Sequence, residues 1–196
     1  MAADRPLRAD ARRNRDRLLE VAVRAFSRGS EDGTDVPLDA IARDAGVGIG
    51  TLYRHFPTRE ALVEAAYRNE LSRLGDSVAD LLTDRPADQA LRAWMDRFVD
   101  YTTTKQGMAD ALRAVIASGG DPFAQSRARL TEAVATLLRA GAADGTLRTD
   151  VEPDDVLIGL SGLSVATEDP ARRAQAGRLL DLLMDALRPR VQRAQP

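Results

Sequence analysis

Apolar positions recur along this chain at three- and four-residue spacing, the period of helices that pack by one face. Leu18, Ala22 and Phe26 stand four apart, with Leu19 and Val23 beside them. They predict a first helix over Arg12 to Ser27. Gly29 to Gly33 make a turn-rich loop. Leu38, Ile41, Ala42 and Ala45 then form the stripe of a short second helix. Gly46 stops it, as a residue free to take positive φ past a helix end. Leu52 and Phe56 mark one face of a short third helix, which Pro57 breaks. Thr58 caps a fourth helix, with Glu60 favoured in its first turn by the dipole. Its stripe runs through Leu62, Ala66, Tyr67 and Leu71 to about Leu74.

Two short helices joined by a tight glycine-containing turn make a helix-turn-helix. With Leu52 and Phe56 inward, Gly50, Thr51, Arg54 and His55 project outward. A small residue, a hydroxyl and a cation suit the edges and backbone of a DNA major groove. Gly48 and Gly50 are costly in a helix. They fit a helix start that approaches another surface closely.

The stretch from Val36 to Leu62 resembles the DNA-binding domain of the tetracycline-repressor (TetR) family. The resemblance rests on Ile41-Ala42, Ala45-Gly46-Val47, Thr51-Leu52-Tyr53-Arg54-His55-Phe56 and Arg59-Glu60-Ala61-Leu62. It extends over roughly Arg12 to Tyr67. Pro37 departs from it, standing where the family often has a capping Ser or Thr. The helix survives, since Pro tolerates a first turn, but a side-chain phosphate contact is lost there. The resemblance implies that Thr51, Tyr53, His55 and Arg59 grip DNA, with Tyr53 and His55 on phosphates. Gly50, Thr51 and Arg54 face base edges. Ile49 occupies a position that varies in the family and is expected to read a thymine methyl.

The remainder is helical in pattern. Thr83 to Pro86 make a loop. Leu91, Trp94, Met95, Phe98 and Thr102 share a helix face beside Tyr101. A short helix runs from Met108 to Ser118 through Leu112 and Ile116, and Gly119-Gly120 break it. Asp121 caps the next helix, with Pro122 at its first position; it runs through Phe123, Leu130, Val134 and Leu137 to about Ala142. The last two helices span about Pro153 to Ala166 and Pro170 to Leu187. Both are apolar nearly all round, which demands burial. Leu157, Leu160 and Leu163 on one, with Leu180, Leu183, Met184 and Leu187 on the other, are the expected homodimer interface, with an ordinary intrachain core as the alternative. The resemblance points the same way, since the family dimerises through its last two helices. It also implies a ligand cavity lined by Trp94, Phe98, Tyr101, Met108, Leu112, Ile116 and Phe123, suited to an apolar or aromatic molecule.

Composition narrows the chemistry. Of 196 residues, 44% are hydrophobic and only 4% aromatic, which favours helix over sheet. No run of 18 apolar residues is present to span a membrane, and the first residues carry no apolar signal segment. Without cysteine there are no disulfides or thiolate metal sites. Cytoplasmic residence is the expectation. A formal net charge of −2 gives no whole-chain attraction to nucleic acid. The basic bias is local: Arg5, Arg8, Arg12, Arg13, Arg15, Arg17, Arg24 and Arg28 outnumber Asp4, Asp10, Asp16 and Glu20 beside the motif. His55 is the only histidine, so no Ser/His/Asp triad forms without it. Gly46 to Gly50 follow a helix and lack a Lys-Ser or Lys-Thr, which separates them from a phosphate-binding loop. Asp150, Glu152, Asp154 and Asp155 read as complements of a helix dipole rather than metal ligands.

The expected fold is all-α. It divides into an N-terminal arm (1–11), a three-helix DNA-binding domain (12–60), a ligand-binding and dimerisation domain (61–190) and a tail (191–196). The expected function is a ligand-responsive repressor, with no cofactor and no enzyme activity. It binds a pseudo-palindromic double-stranded DNA operator as a homodimer and is released by a small-molecule effector. The alternative is a helical small-molecule-binding module without specific DNA binding.

Overall fold

A computed structural model describes residues 4–32, 36–167 and 169–189. The predicted tail, the first three residues of the predicted arm and the end of the Gly29–Gly33 loop lie outside them. Among the described residues the chain is all-α, with no strand. It forms α1 (Asp4–Asp32), α2 (Leu38–Asp44), α3 (Ile49–His55), α4 (Arg59–Asp84), α5 (Ala87–Gly107), α6 (Ala109–Ala117), α7 (Ser126–Asp144), α8 (Pro153–Ala166) and α9 (Arg173–Leu187). A 3₁₀ turn at Pro170–Arg172 precedes α9.

Four boundaries differ clearly from the sequence reading. α1 begins at Asp4, so residues 4–11 are helical rather than an arm, and it runs to Asp32, so residues 29–32 are helical rather than a loop. The apolar stripe from Leu18 to Phe26 marks only the middle of this helix. α4 runs ten residues beyond Leu74, because Val78 and Leu81 continue its buried row until Pro86 forbids further helix. α7 starts at Ser126, not Pro122. The Ser126 N–H donates to the Phe123 carbonyl at 2.9 Å, closing a turn that occupies those residues first.

The helices form two compact units. Unit 1 comprises Met1–Glu70 and Thr104–Pro122; unit 2 comprises Leu71–Thr103 and Phe123–Pro196. The expected division near residue 60 followed the motif, whereas the units follow packing, and α4 and α5 each contribute to both. In unit 1, α1 packs on α2, α3 and α6. Leu18, Leu19, Ala22 and Phe26 from α1 are buried with Ile41, Leu52, Leu62, Met108 and Leu112. α6 therefore belongs with the helix-turn-helix.

In unit 2, α7 packs on α8 and α8 on α9. Trp94 is fully buried on α5, and its Nε1 donates to the Leu74 carbonyl at 3.1 Å. α7 ends at Gly145, whose φ of 77° a side chain would oppose. The turn folds back so tightly that a Cβ on Gly141 would sit 2.3 Å from Leu147 Cδ1. The Arg148 N–H then donates to the Leu187 carbonyl at 2.9 Å, capping the end of α9. Arg92 of α5 reaches α9 through Asp181 and the Gly177 carbonyl, at 2.7 and 3.2 Å.

On α8 and α9 most of the residues expected at the interface fit the alternative, a core within the chain. Leu157, Leu160, Leu180, Met184 and Leu187 are buried within the chain itself, and Leu163 and Leu183 are half-buried. Only one face of each helix meets its neighbours. Ile158 and Val165 on α8 and Leu182 on α9 stand exposed instead, at 59, 64 and 65%. Gly159 and Gly162 lie between the first two with open space where a Cβ would be.

Candidate nucleic-acid interface

The motif is held by local chemistry at its turn. Gly46 takes φ 67°. Its N–H donates to the Arg43 carbonyl and that of Val47 to the Ala42 carbonyl, both at 3.0 Å. This pair of bonds is the Schellman arrangement, and it satisfies the last free carbonyls of α2. Pro37 stands at the start of α2 with no side-chain cap. At α4, Thr58 does cap: the Ala61 N–H donates to its Oγ1 at 3.1 Å, worth roughly 1 kcal/mol.

α3 is set by its buried face. Leu52 is fully buried, and Phe56 beyond the helix end is 3% exposed. At 3.6 residues per turn, Gly50 then stands at the middle of the outward face, flanked by Tyr53 and Arg54. All three are exposed, as is Ile49 at the helix start. Thr51 and His55 differ from expectation: both are half-buried on the flank of the helix. The His55 ring lies 6.1 Å from that of Phe56. A Cβ at Gly48 or Gly50 would meet nothing within 4 Å, and neither glycine has positive φ. Nothing among the described residues requires glycine at these two places.

Arg59 also departs from expectation. Its Nη1 donates to the Val36 carbonyl at 2.5 Å, and its guanidinium lies 4.9 Å from the Phe26 ring centroid. It joins the starts of α2 and α4 to α1. Arg59→Ala is expected to destabilise unit 1 by about 1–3 kcal/mol, since it strands a carbonyl and removes a cation–π contact. Arg59→Lys restores little of this, lacking the planar fork. Denaturant melts followed by circular dichroism measure the loss. A pure phosphate contact predicts weaker DNA binding with unchanged stability instead.

Two residues of α1 escaped the sequence reading. The Arg15 guanidinium lies 5.6 Å from the Phe56 ring centroid, and Arg17 Nη1 is 3.5 Å from the Ala45 carbonyl. Both brace the motif from outside. Their signal was the arginine bias before Leu18, but spacing alone does not say which turn of α1 meets α3.

The expected ligand residues fall into two groups. Trp94, Phe98 and Tyr101 form a buried ladder on α5 in unit 2, with ring centroids 5.7 and 6.2 Å apart. Phe123, half-buried, belongs to the same unit. Met108, Leu112 and Ile116 belong to unit 1, where Met108 and Leu112 are core. Ile116 is 49% exposed and so turns away from that core. The acidic cluster is engaged locally: Arg127 and Thr131 both donate to Asp154, holding its carboxyl below the usual range. Arg148 pairs with Asp150.

Residues 18–66 match the family of bacterial regulatory proteins of the tetR type, and residues 86–189 match the C-terminal domain of SbtR-like transcriptional regulators. The chain belongs to the TetR family. A solved TetR transcriptional regulator from Streptomyces coelicolor is 56% identical; the match covers 90% of this chain and 99% of that one, with a TM-score of 0.84. A second, from Mycobacterium vanbaalenii, is 35% identical over 94% of this chain and all of that one, with a TM-score of 0.75. A helix-turn-helix regulator from Mycobacterium tuberculosis is 33% identical over 129 residues, 64% of this chain and 59% of that protein. The chain thus spans less than two thirds of the curated relative. TetR-family proteins are transcriptional regulators, not enzymes. Among the described residues, no helix is long and apolar enough to cross a membrane.

Proposed function

We propose that this TetR-family chain is a cytoplasmic, ligand-responsive repressor. It reads a pseudo-palindromic DNA operator as a homodimer and is released by a small apolar or aromatic effector. The outward face of α3 carries the reading: Gly50 flanked by Tyr53 and Arg54, exposed, with open space around both glycines. A helix smooth at its centre and cationic at its edge suits entry into a major groove. Two such helices, roughly 34–36 Å apart, would read half-sites one DNA turn apart.

The exposed Ile158, Val165 and Leu182 with the open Gly159 and Gly162 support pairing through α8 and α9. Buried in a second copy, these side chains gain what a single chain leaves in water. The Trp94–Phe98–Tyr101 ladder supports an aromatic effector class. Release requires that the effector favour a state that binds DNA poorly, and DNA must then weaken effector binding equally.

Selection from a random duplex pool tests the reading. Enrichment of one inverted repeat, with affinity falling steeply as salt rises, is the expected result. Recovery of no motif overturns it. Gly50→Ala sharpens the test through opposite signs. It stabilises the helix by about 0.5–1 kcal/mol, yet lowers operator affinity roughly tenfold by intruding on a close contact.

A further inference from the structure

One row of positions along α1 changes character partway. Arg5, Arg8, Arg12 and Arg15 recur at alternating steps of three and four residues, and Leu19, Ala22 and Phe26 continue the same series. Steps of that kind keep residues on one face of a helix, and α1 is continuous from Asp4. From Leu19 onward the row is core: Leu19 and Ala22 are fully buried, and Phe26 is 2% exposed. Before it, Arg12 and Arg15 are exposed. Like charges three and four residues apart oppose a helix, so local structure does not favour this row. Arg13, off the row, pairs with Asp10 one turn before it.

The arginine row meets the motif at Arg15. Its guanidinium lies 5.6 Å from the ring centroid of Phe56, the residue that closes α3. The row thus leaves the core beside the end of the helix that carries the reading face. The walls of a major groove about 12 Å wide are sugar–phosphate strands. A cation beside a helix seated there meets phosphates before bases.

We infer that the arginine row of α1 grips the phosphates of operator DNA beside each half-site, through Arg12 and Arg15. This rests on the DNA-reading role proposed above. The contact is blind to sequence. It fixes the duplex against α3, and it adds affinity that salt removes. Arginine suits the task, since its planar fork of donors matches phosphate oxygens.

Arg12→Gln on the operator recovered by selection is the test. Arg12 is chosen over Arg15 because Arg15 also braces Phe56. The slope of log affinity against log salt is expected to fall by about two for a homodimer, one phosphate per subunit. The parent-to-variant affinity ratio then shrinks about twelvefold between roughly 50 and 200 mM salt. Arg12→Lys keeps the charge and restores the slope. Arg13→Gln keeps the parent slope, and base preferences are the same in every variant. Circular dichroism melts show that all three variants remain folded. A parent slope in Arg12→Gln overturns the inference while leaving the DNA-reading role intact. So does an equal fall in Arg13→Gln. Selection that recovers no operator overturns both.

Discussion

Arg54→Ala is expected to weaken operator binding by roughly thirtyfold to twenty-thousandfold while leaving the fold unchanged. A lost base contact costs about 1–3 kcal/mol, and a homodimer loses it twice. Arg54 is exposed in the last turn of α3, on the opposite side from the buried Leu52. Its truncation therefore opens no cavity. Fluorescence anisotropy on operator duplexes measures the loss, and specificity relaxes at the base that Arg54 reads. Phosphate contact predicts a different pattern. Affinity then falls uniformly across sequences, and the salt slope drops by about one per lost contact. Unchanged affinity removes Arg54 from the reading surface.

Trp94→Ala is expected to cost unit 2 about 3–5 kcal/mol. The indole is fully buried against Phe98, and its N–H is satisfied by the Leu74 carbonyl. Deletion opens the largest cavity that one substitution can make and removes a buried hydrogen bond. Urea melts followed by circular dichroism report the loss. Trp94→Phe retains most of the ring and loses about 1–2 kcal/mol through the missing hydrogen bond and the smaller volume. As the only tryptophan, Trp94 also makes intrinsic fluorescence of the parent chain a reporter of unit 2 alone. The pair of variants separates core from ligand-lining roles. A residue that only lines an effector site loses response without this loss of stability.

The helix-turn-helix was legible because its determinants are local. Gly46 past α2, Thr58 before α4 and the Leu52–Phe56 spacing each act within a few residues. The structure returns the expected bonds at both caps. α8 was legible to the residue, with Pro153 at its start. The site was less so. Residue type placed Gly50 and Arg54 outward, but the flanking positions of Thr51 and His55 depend on how α3 is rotated against α1 and α2. Arg59 looked like a phosphate contact from its charge and position at a helix start. Its observed partners, Phe26 and the Val36 carbonyl, lie 33 and 23 residues away, beyond any local pattern.

The sequence by itself determined that this chain is helical, where its motif lies and which family it resembles, since periodicity, caps and turn residues act over one or two turns. Only the tertiary structure decided which face of a doubly apolar helix is core. On α8 the pattern offers Leu157 and Ile158 alike, and packing against α7 and α9 buries one and exposes the other. It also decided that α6 belongs with the DNA-binding helices rather than with the rest of the C-terminal half. The physical reason is the same in both cases. Burial depends on neighbours distant in sequence, and a helix carries the same stripe whichever partner covers it.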